Sequence, residues 1–399
     1  MRARQPEEGC TAAWRCSTSF VVHSAFDTEN EAALQTYIDE KVRLTATSFC
    51  WGDKDYVFVG TADDSLIQIL LQFDREQQQF RTIHFSEEER YKADGSIGVF
   101  KRMRLHSRGL FCSGVDDIIR LIRFESQDAT LQEATNITDL IELNAPVTAL
   151  TFNPTYTMLF ISSTQGVDTF DLTTMEQHEF SLIPNAFGKI VDVTIVSPAS
   201  ELIVTARDSG ALEAWSITDG TRKFFVQIDN QSISHVVASP TIALLVVTTT
   251  AGAFFFFDMT TDGFRLIHRV RLHSNDVRCV KFNTRGNILV SAGLDNNLFV
   301  MKIDTDQTTM ENMFQIIYRA DLDGEPFALD LDDYDQQATD VNMDDPPREH
   351  TDEHADSTKG KSNETRIIVS LNTKTEKFGR FLILDFDWQQ YRGMARRTY

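Results

Sequence analysis

The feature that most constrains this chain is a spacing. A turn between two apolar runs recurs as Asn153-Pro154, Ser197-Pro198, Ser239-Pro240 and Asn283-Thr284, with 44, 42 and 44 residues between its second positions. The end of a following apolar run recurs as Phe170-Asp171, Trp215-Ser216, Phe257-Asp258 and Met301-Lys302, at steps of 45, 42 and 44. Two independent markers keep one period. The clearest unit is Leu272 to Asp304. There, alternating apolar residues through Val277 and Phe282 meet a Thr-Arg-Gly turn, then Ile288-Leu289-Val290, a second turn at Leu294 to Asn297, and Leu298-Phe299-Val300. This pattern reads as short antiparallel strands on tight turns. Such a meander cannot bury both of its faces alone, so it requires neighbours of its own kind.

Weaker units precede these. Gly60-Thr-Ala-Asp-Asp-Ser-Leu-Ile within 42–73 parallels Ser113-Gly-Val-Asp-Asp-Ile-Ile-Arg within 97–124. A seventh unit is split, with Glu325 to Leu329 as its first strand and Arg366 to Ser370 and Arg380 to Leu384 as the next two. Every unit but the seventh is followed by a further strand-like run. Trp14 to His23 is a strand without a unit, and it supplies the seventh with the outer strand it lacks. A period near 40–45 residues with four strands per unit is the pattern of a β-propeller. The expected fold is therefore all-β: one seven-bladed propeller over residues 14–387, closed by the N-terminal strand. A disordered acidic insertion at 332–364 and a basic tail at 388–399 complete the expected plan.

Charge sharpens that plan. Formal net charge is −21, and from Asp321 to Asp356 fourteen Asp and Glu face one Arg, a local −13 that leaves −8 for the rest. The balance disfavours nucleic-acid backbones and anionic membranes unless basic residues gather on one face. Five cysteines without CxxC spacing do not make a disulfide framework. No apolar run matches a signal peptide, and the most apolar window, Ile242 to Phe257, is broken by Thr248-Thr249-Thr250 and Gly252 and falls short of the roughly 20 residues of a spanning helix. A cytoplasmic compartment is expected, with the nucleus as the alternative.

The unit at 273–301 resembles a WD repeat: His273 before the first strand, Ser291-Ala292-Gly293 closing the second, Asp295 in the next turn and Met301 where that family usually has Trp. The resemblance implies a buried hydrogen-bond set of His273, Ser291 and Asp295, shortened because Met301 carries no indole N–H. It covers residues 14 to 387 as a pattern of repeats. Degenerate repeats with an inserted acidic loop resemble the WD-repeat proteins of cilia and flagella, some much longer than 399 residues.

Few residues suggest catalysis. His350-Thr351-Asp352-Glu353-His354 matches a zinc-protease pattern, but that chemistry needs a docked helix, and between Met343 and Ile367 only Ala355 is apolar. Ser291, His273 and Asp295 have the residue types of a triad, which the repeat already requires for structural reasons. No P-loop or GxGxxG is present. Phe254 to Phe257 reads as core on a third strand. Lys101, Arg102, Arg104, His106, Arg108, Arg120 and Arg123, and again Arg265, His268, Arg269, Arg271 and His273, are locally basic, yet alternate strand residues face opposite ways.

The function expected is a non-catalytic protein-interaction scaffold in a multiprotein assembly, ciliary or cytoskeletal, with no cofactor, metal, membrane or small-molecule substrate. Asp332, Asp333, Asp335, Asp344 and Asp345 are the candidate protein-binding residues. The alternative is an RNA-associated subunit of a ribosome-assembly or RNA-processing complex, marked by a basic stripe on one face.

Overall fold

The structure, a computed structural model, describes residues 14–21, 46–51, 56–61, 65–74, 79–84, 90–92, 100–124, 134–153, 155–182, 188–196, 202–228, 231–260, 263–304, 313–322, 324–333, 364–372 and 380–387. The expected acidic segment beyond Asp333, with Asp335, Asp344, Asp345 and the HTDEH pentapeptide, lies outside the described residues, as do the Ser197-Pro198 turn and the tail at 388–399.

Strand β1 (Trp14–Val21) comes first and is used last. The first sheet holds β2 (Ala46–Trp51), β3 (Tyr56–Thr61), β4 (Ser65–Asp74) and β5 (Gln79–His84), with β6 (Arg90–Lys92) also on β4. The second holds β7 (Arg102–His106), β8 (Gly109–Ser113), β9 (Ile118–Phe124) and β10 (Ala134–Glu142). The third holds β11 (Val147–Phe152), β12 (Met158–Ser163), β13 (Val167–Asp171) and β14 (Glu176–Leu182). The fourth holds β15 (Ile190–Val196), β16 (Leu202–Arg207), β17 (Ala211–Ser216) and β18 (Arg222–Gln227). The fifth holds β19 (Ile233–Ala238), β20 (Leu244–Thr249), β21 (Ala253–Thr260) and β22 (Gly263–Arg271). The sixth holds β23 (Val277–Phe282), β24 (Ile288–Gly293), β25 (Asn297–Ile303) and β26 (Phe314–Asp321). The seventh holds β27 (Glu325–Asp333), β28 (Glu364–Asn372) and β29 (Arg380–Asp387), and β1 pairs antiparallel with β29, from Trp14 opposite Phe386 to Val21 opposite Arg380. Short β6 is an addition that the repeat pattern does not contain.

The repeated turn has an atomic cause. In the third sheet the Asn153 carboxamide accepts the amides of Thr157 and Met158, and in the sixth Asn283 accepts those of Asn287 and Ile288 at the same offsets. An Asn side chain that satisfies two turn amides fixes where the hairpin reverses. It thereby fixes the register of the strands behind it.

The sheets are held together by what lies between them. Phe254 and Phe256 pack into one cluster with Val277, Val280 and Met301 of the sixth sheet, while Phe255 and Phe257 join another with Val204, Leu212 and Ala214 of the fourth. Alternation along one strand thus feeds both neighbours. All four rings are at most 3 % exposed; at roughly 1.5–3 kcal/mol for each fully buried large apolar side chain, this strand alone anchors three sheets. The first strands abut in the order β2, β7, β11, β15, β19, β23 and β27, and β27 abuts β2.

Candidate functional site: loop ties and the axial cavity

Each sheet must hold the loop that enters it, and the sixth does so with side chains. His273 is 1 % exposed; its Nδ1 lies 2.8 Å from Asp295 Oδ1 and its Nε2 lies 3.0 Å from Ser291 Oγ. Asp295 Oδ2 also accepts the Ser274 amide at 2.9 Å. The imidazole donates through Nδ1–H to the carboxylate and accepts the serine hydroxyl at Nε2, a neutral tautomer. Burial pushes the His273 imidazole below its ordinary value against the pull of Asp295. Burial would raise Asp295, but the bonds from His273 and the Ser274 amide outweigh it and hold it low. Glycine is required nearby, since a Cβ on Gly293 would meet His273 Nδ1 at 2.5 Å. Met301 sits buried at 3 % exposure on the apolar side, and Phe299 stands edge-on to the imidazole at 4.9 Å.

Other sheets make the same tie with different chemistry. In the fourth, Arg207 takes the place of Gly293: its Nε binds Glu213 at 2.6 Å and its Nη1 reaches the Gly188 carbonyl at 2.6 Å. Glu213, with no solvent exposure, also accepts Arg222 at 3.0 Å. Here the Trp is present, and Trp215 Nε1 donates to Thr205 Oγ1 at 3.3 Å. In the second, Arg120 is 5 % exposed between Asp116 at 2.6 Å and Asp139 at 2.9 Å, while Asp117 accepts the Val147 amide of the next sheet. These residues are absent from the repeat template. Their sequence signal is a charged residue inside an apolar run, as in Ala206-Arg207 and Leu212-Glu213-Ala214.

The basic residues do not share a face. Arg120 is spent on its carboxylates, Arg265 pairs with Asp258, Arg269 lies over the Phe255 ring, and Arg271 bonds the carbonyls of His273 and Ser274. His106 packs on Phe152 and donates through Nε2–H to the Tyr156 carbonyl at 2.9 Å. Lys101, Arg102 and Arg104 point elsewhere, into the space enclosed by the first strands.

That space is a cavity of about 250 Å³, lined by residues of all seven first strands or the residues that enter them. A register shift between first and second strands recurs in six sheets, leaving Thr47, Thr148, Val191, Ser234, Arg278 and Phe327 as the extra residue. Such a bulge kinks the strand and re-aims its side chains. Asp192 accepts the Val236 amide at 3.0 Å and lies 3.3 Å from His235, whose Nε2–H donates to the Arg278 carbonyl. Three first strands are joined through these two side chains. Asp330, just past the lining, meets Lys281 at 2.5 Å.

Asp332 and Asp333 close β27, opposite Arg366 and Thr365. No group of three His, Cys, Asp or Glu able to hold a metal occurs among the described residues, and no helix among them is long and apolar enough to cross a membrane.

Comparison with known proteins places this geometry. Residues 264–300 match the model of the WD domain, G-beta repeat, the stretch that carries His273, Ser291 and Asp295. The chain is 25 % identical to mouse (Mus musculus) cilia- and flagella-associated protein 43 over 261 residues, 65 % of this chain and 15 % of that protein. It is 21 % identical to the Xenopus laevis protein of the same name over 257 residues, 63 % of this chain and 15 % of that one. It therefore spans a small fraction of these relatives' length. Among solved structures, a chain of "Crystal Structure of Mitotic Checkpoint Complex" superposes with a TM-score of 0.52 at 14 % identity, covering 65 % of this chain and 74 % of that one, a likeness of fold. With its repeated four-stranded antiparallel sheets and one stretch that matches the WD-repeat model, this chain has an all-β fold like that of WD-repeat propellers and is similar to cilia- and flagella-associated protein 43.

Proposed function

We propose that this chain is a non-catalytic protein-interaction scaffold of a ciliary or other cytoskeletal assembly, built as one closed seven-sheet ring over residues 14–387. The observation that carries the reading is the ring order of the first strands, with β27 against β2, in a chain similar to a cilia- and flagella-associated protein. WD40 propellers generally serve as interaction platforms, because a stiff sheet scaffold holds many loops in fixed relation. The buried polar groups here are used for that stiffness. His273, Ser291 and Asp295 tie one loop to one turn. The acidic residues at 332–364, beginning with Asp332 and Asp333 and including Asp335, Asp344 and Asp345, offer charge to a basic partner.

The RNA reading draws little support from the placement of the basic residues, since Arg120 and Arg265 are paired, Arg269 is stacked on Phe255, and Lys101, Arg102 and Arg104 line the cavity. The test is proximity labelling by the chain expressed in ciliated cells. Labelling concentrated on axonemal or other cytoskeletal proteins is expected. Labelling concentrated on nuclear RNA-processing proteins, with RNA crosslinked to the chain, would overturn it.

A further inference from the structure

We infer that the axial cavity is a binding site for a compact phosphate-bearing anion, held by the guanidinium groups of Arg102 and Arg104. The cavity wall carries Lys101, Arg102, Arg104, Arg278 and Lys281 against a single lining carboxylate, Asp192. This concentration of positive charge stands in a chain whose net charge is −21.

Most charged groups around the cavity have a partner. Lys101 lies 3.5 Å from Asp117, Arg278 lies 3.9 Å from Asp276, Lys281 lies 2.5 Å from Asp330, and Asp192 faces His235. Arg102 and Arg104 differ. Arg102 donates through Nε to the Thr148 carbonyl at 2.6 Å and through Nη1 to the Lys101 carbonyl at 3.0 Å. Among the described residues, Arg104 donates only to the neighbouring Met103 carbonyl at 3.3 Å. Neither has a carboxylate within ion-pair distance among the described residues.

Solvent reaches Arg102 through the cavity, yet burial by the surrounding wall pushes its guanidinium below its ordinary value; Asp192 opposes this and Arg104 adds to it. A bound anion would offset the mutual repulsion of the two arginines. The guanidinium fork matches the paired oxygens of a phosphate, and donors on several first strands favour an anion with more than one charge. In the second sheet Arg102 stands opposite Ser113 and Arg104 opposite Phe111, two residues apart on one strand, so both guanidiniums are carried to the same wall. This inference stands on the cavity and not on which proteins the scaffold meets.

The experiment is titration calorimetry on the full 399-residue chain, with sodium pyrophosphate, ADP and a glutamate oligopeptide as probes. Saturable one-to-one binding of pyrophosphate or ADP is expected, weakened by added potassium chloride. Tighter ADP binding would support the site with an organic phosphate as its occupant, and tighter pyrophosphate binding would support it with an inorganic one. Arg104→Gln and Arg102→Gln should each raise the dissociation constant about ten-fold or more, the scale of one hydrogen bond to a charged group. Arg265→Gln, which removes the pair with Asp258 at the rim, should leave it unchanged. Arg102 braces the Thr148 strand; should its variant fail to fold, Arg104→Gln, checked by circular dichroism, decides alone. Absence of saturable binding, an unchanged constant in folded Arg104→Gln, or tighter binding of the glutamate peptide than of either phosphate would overturn the proposal.

Discussion

At the scale of single residues, the buried Arg207, Glu213 and His273 hold a loop or turn to the strands beside it. Asp295→Ala should leave the buried His273 N–H without an acceptor and cost about 1–3 kcal/mol in urea unfolding; a loss below about 0.5 kcal/mol, the scale of a surface change, would show that the carboxylate is not bound. The fourth sheet poses a harder case. Glu213→Ala strands Arg207 in the core and should cost about 3–5 kcal/mol, whereas Arg207→Met with Glu213→Leu should restore much of it. A single variant as stable as the parent would refute the network. Burial disfavours the imidazolium of His273, His268 and His106 alike. The unfolded chain takes up protons that the folded one resists, so this stability is present above about pH 6.5 and is lost as pH falls from there. Asp295, held low, adds its own loss only below about pH 4. Urea midpoints at pH 7.5 and 5.5 test this, and equal values would contradict it. His273, Ser291 and Asp295 were legible in the sequence because one repeat keeps all three at their family spacing. Arg207, Glu213 and Arg120 were not, because each replaces the repeat's tie with an ion pair whose members lie on different strands, and pairing across strands leaves no periodic mark.

At the scale of elements, legibility follows the same division between local and non-local causes. The turns at Asn153 and Asn283 were visible since a single side chain sets each one. The four buried phenylalanines of β21 were readable as core, and their split between two neighbouring sheets follows from alternation alone. The register shifts between first and second strands were not visible, because a bulge depends on how two strands meet and the residues at it, Thr47, Val191 and Arg278 among them, have no type in common. Nor was β6 visible: Arg90–Lys92 is three residues long and lies outside the repeat. The consequence for function is direct, since the shifts shape the cavity wall and the second-sheet strand carries two guanidiniums without a carboxylate partner among the described residues.

At the scale of the whole molecule, the central claim is that one strand from the N-terminus completes the last sheet of a ring. Its physical motive is that β29 without β1 would present an open row of backbone donors and acceptors, an edge that promotes association. The chain's two ends would then be a single structural unit, and the ring would melt as one. Removal of residues 1–24, followed by thermal melting and size-exclusion chromatography, is the most direct measurement. One cooperative transition is expected for the intact chain, and for the truncated chain a melting temperature lower by several degrees with self-association through the bared β29 edge. An unchanged melting temperature and a monomeric truncated chain would contradict it.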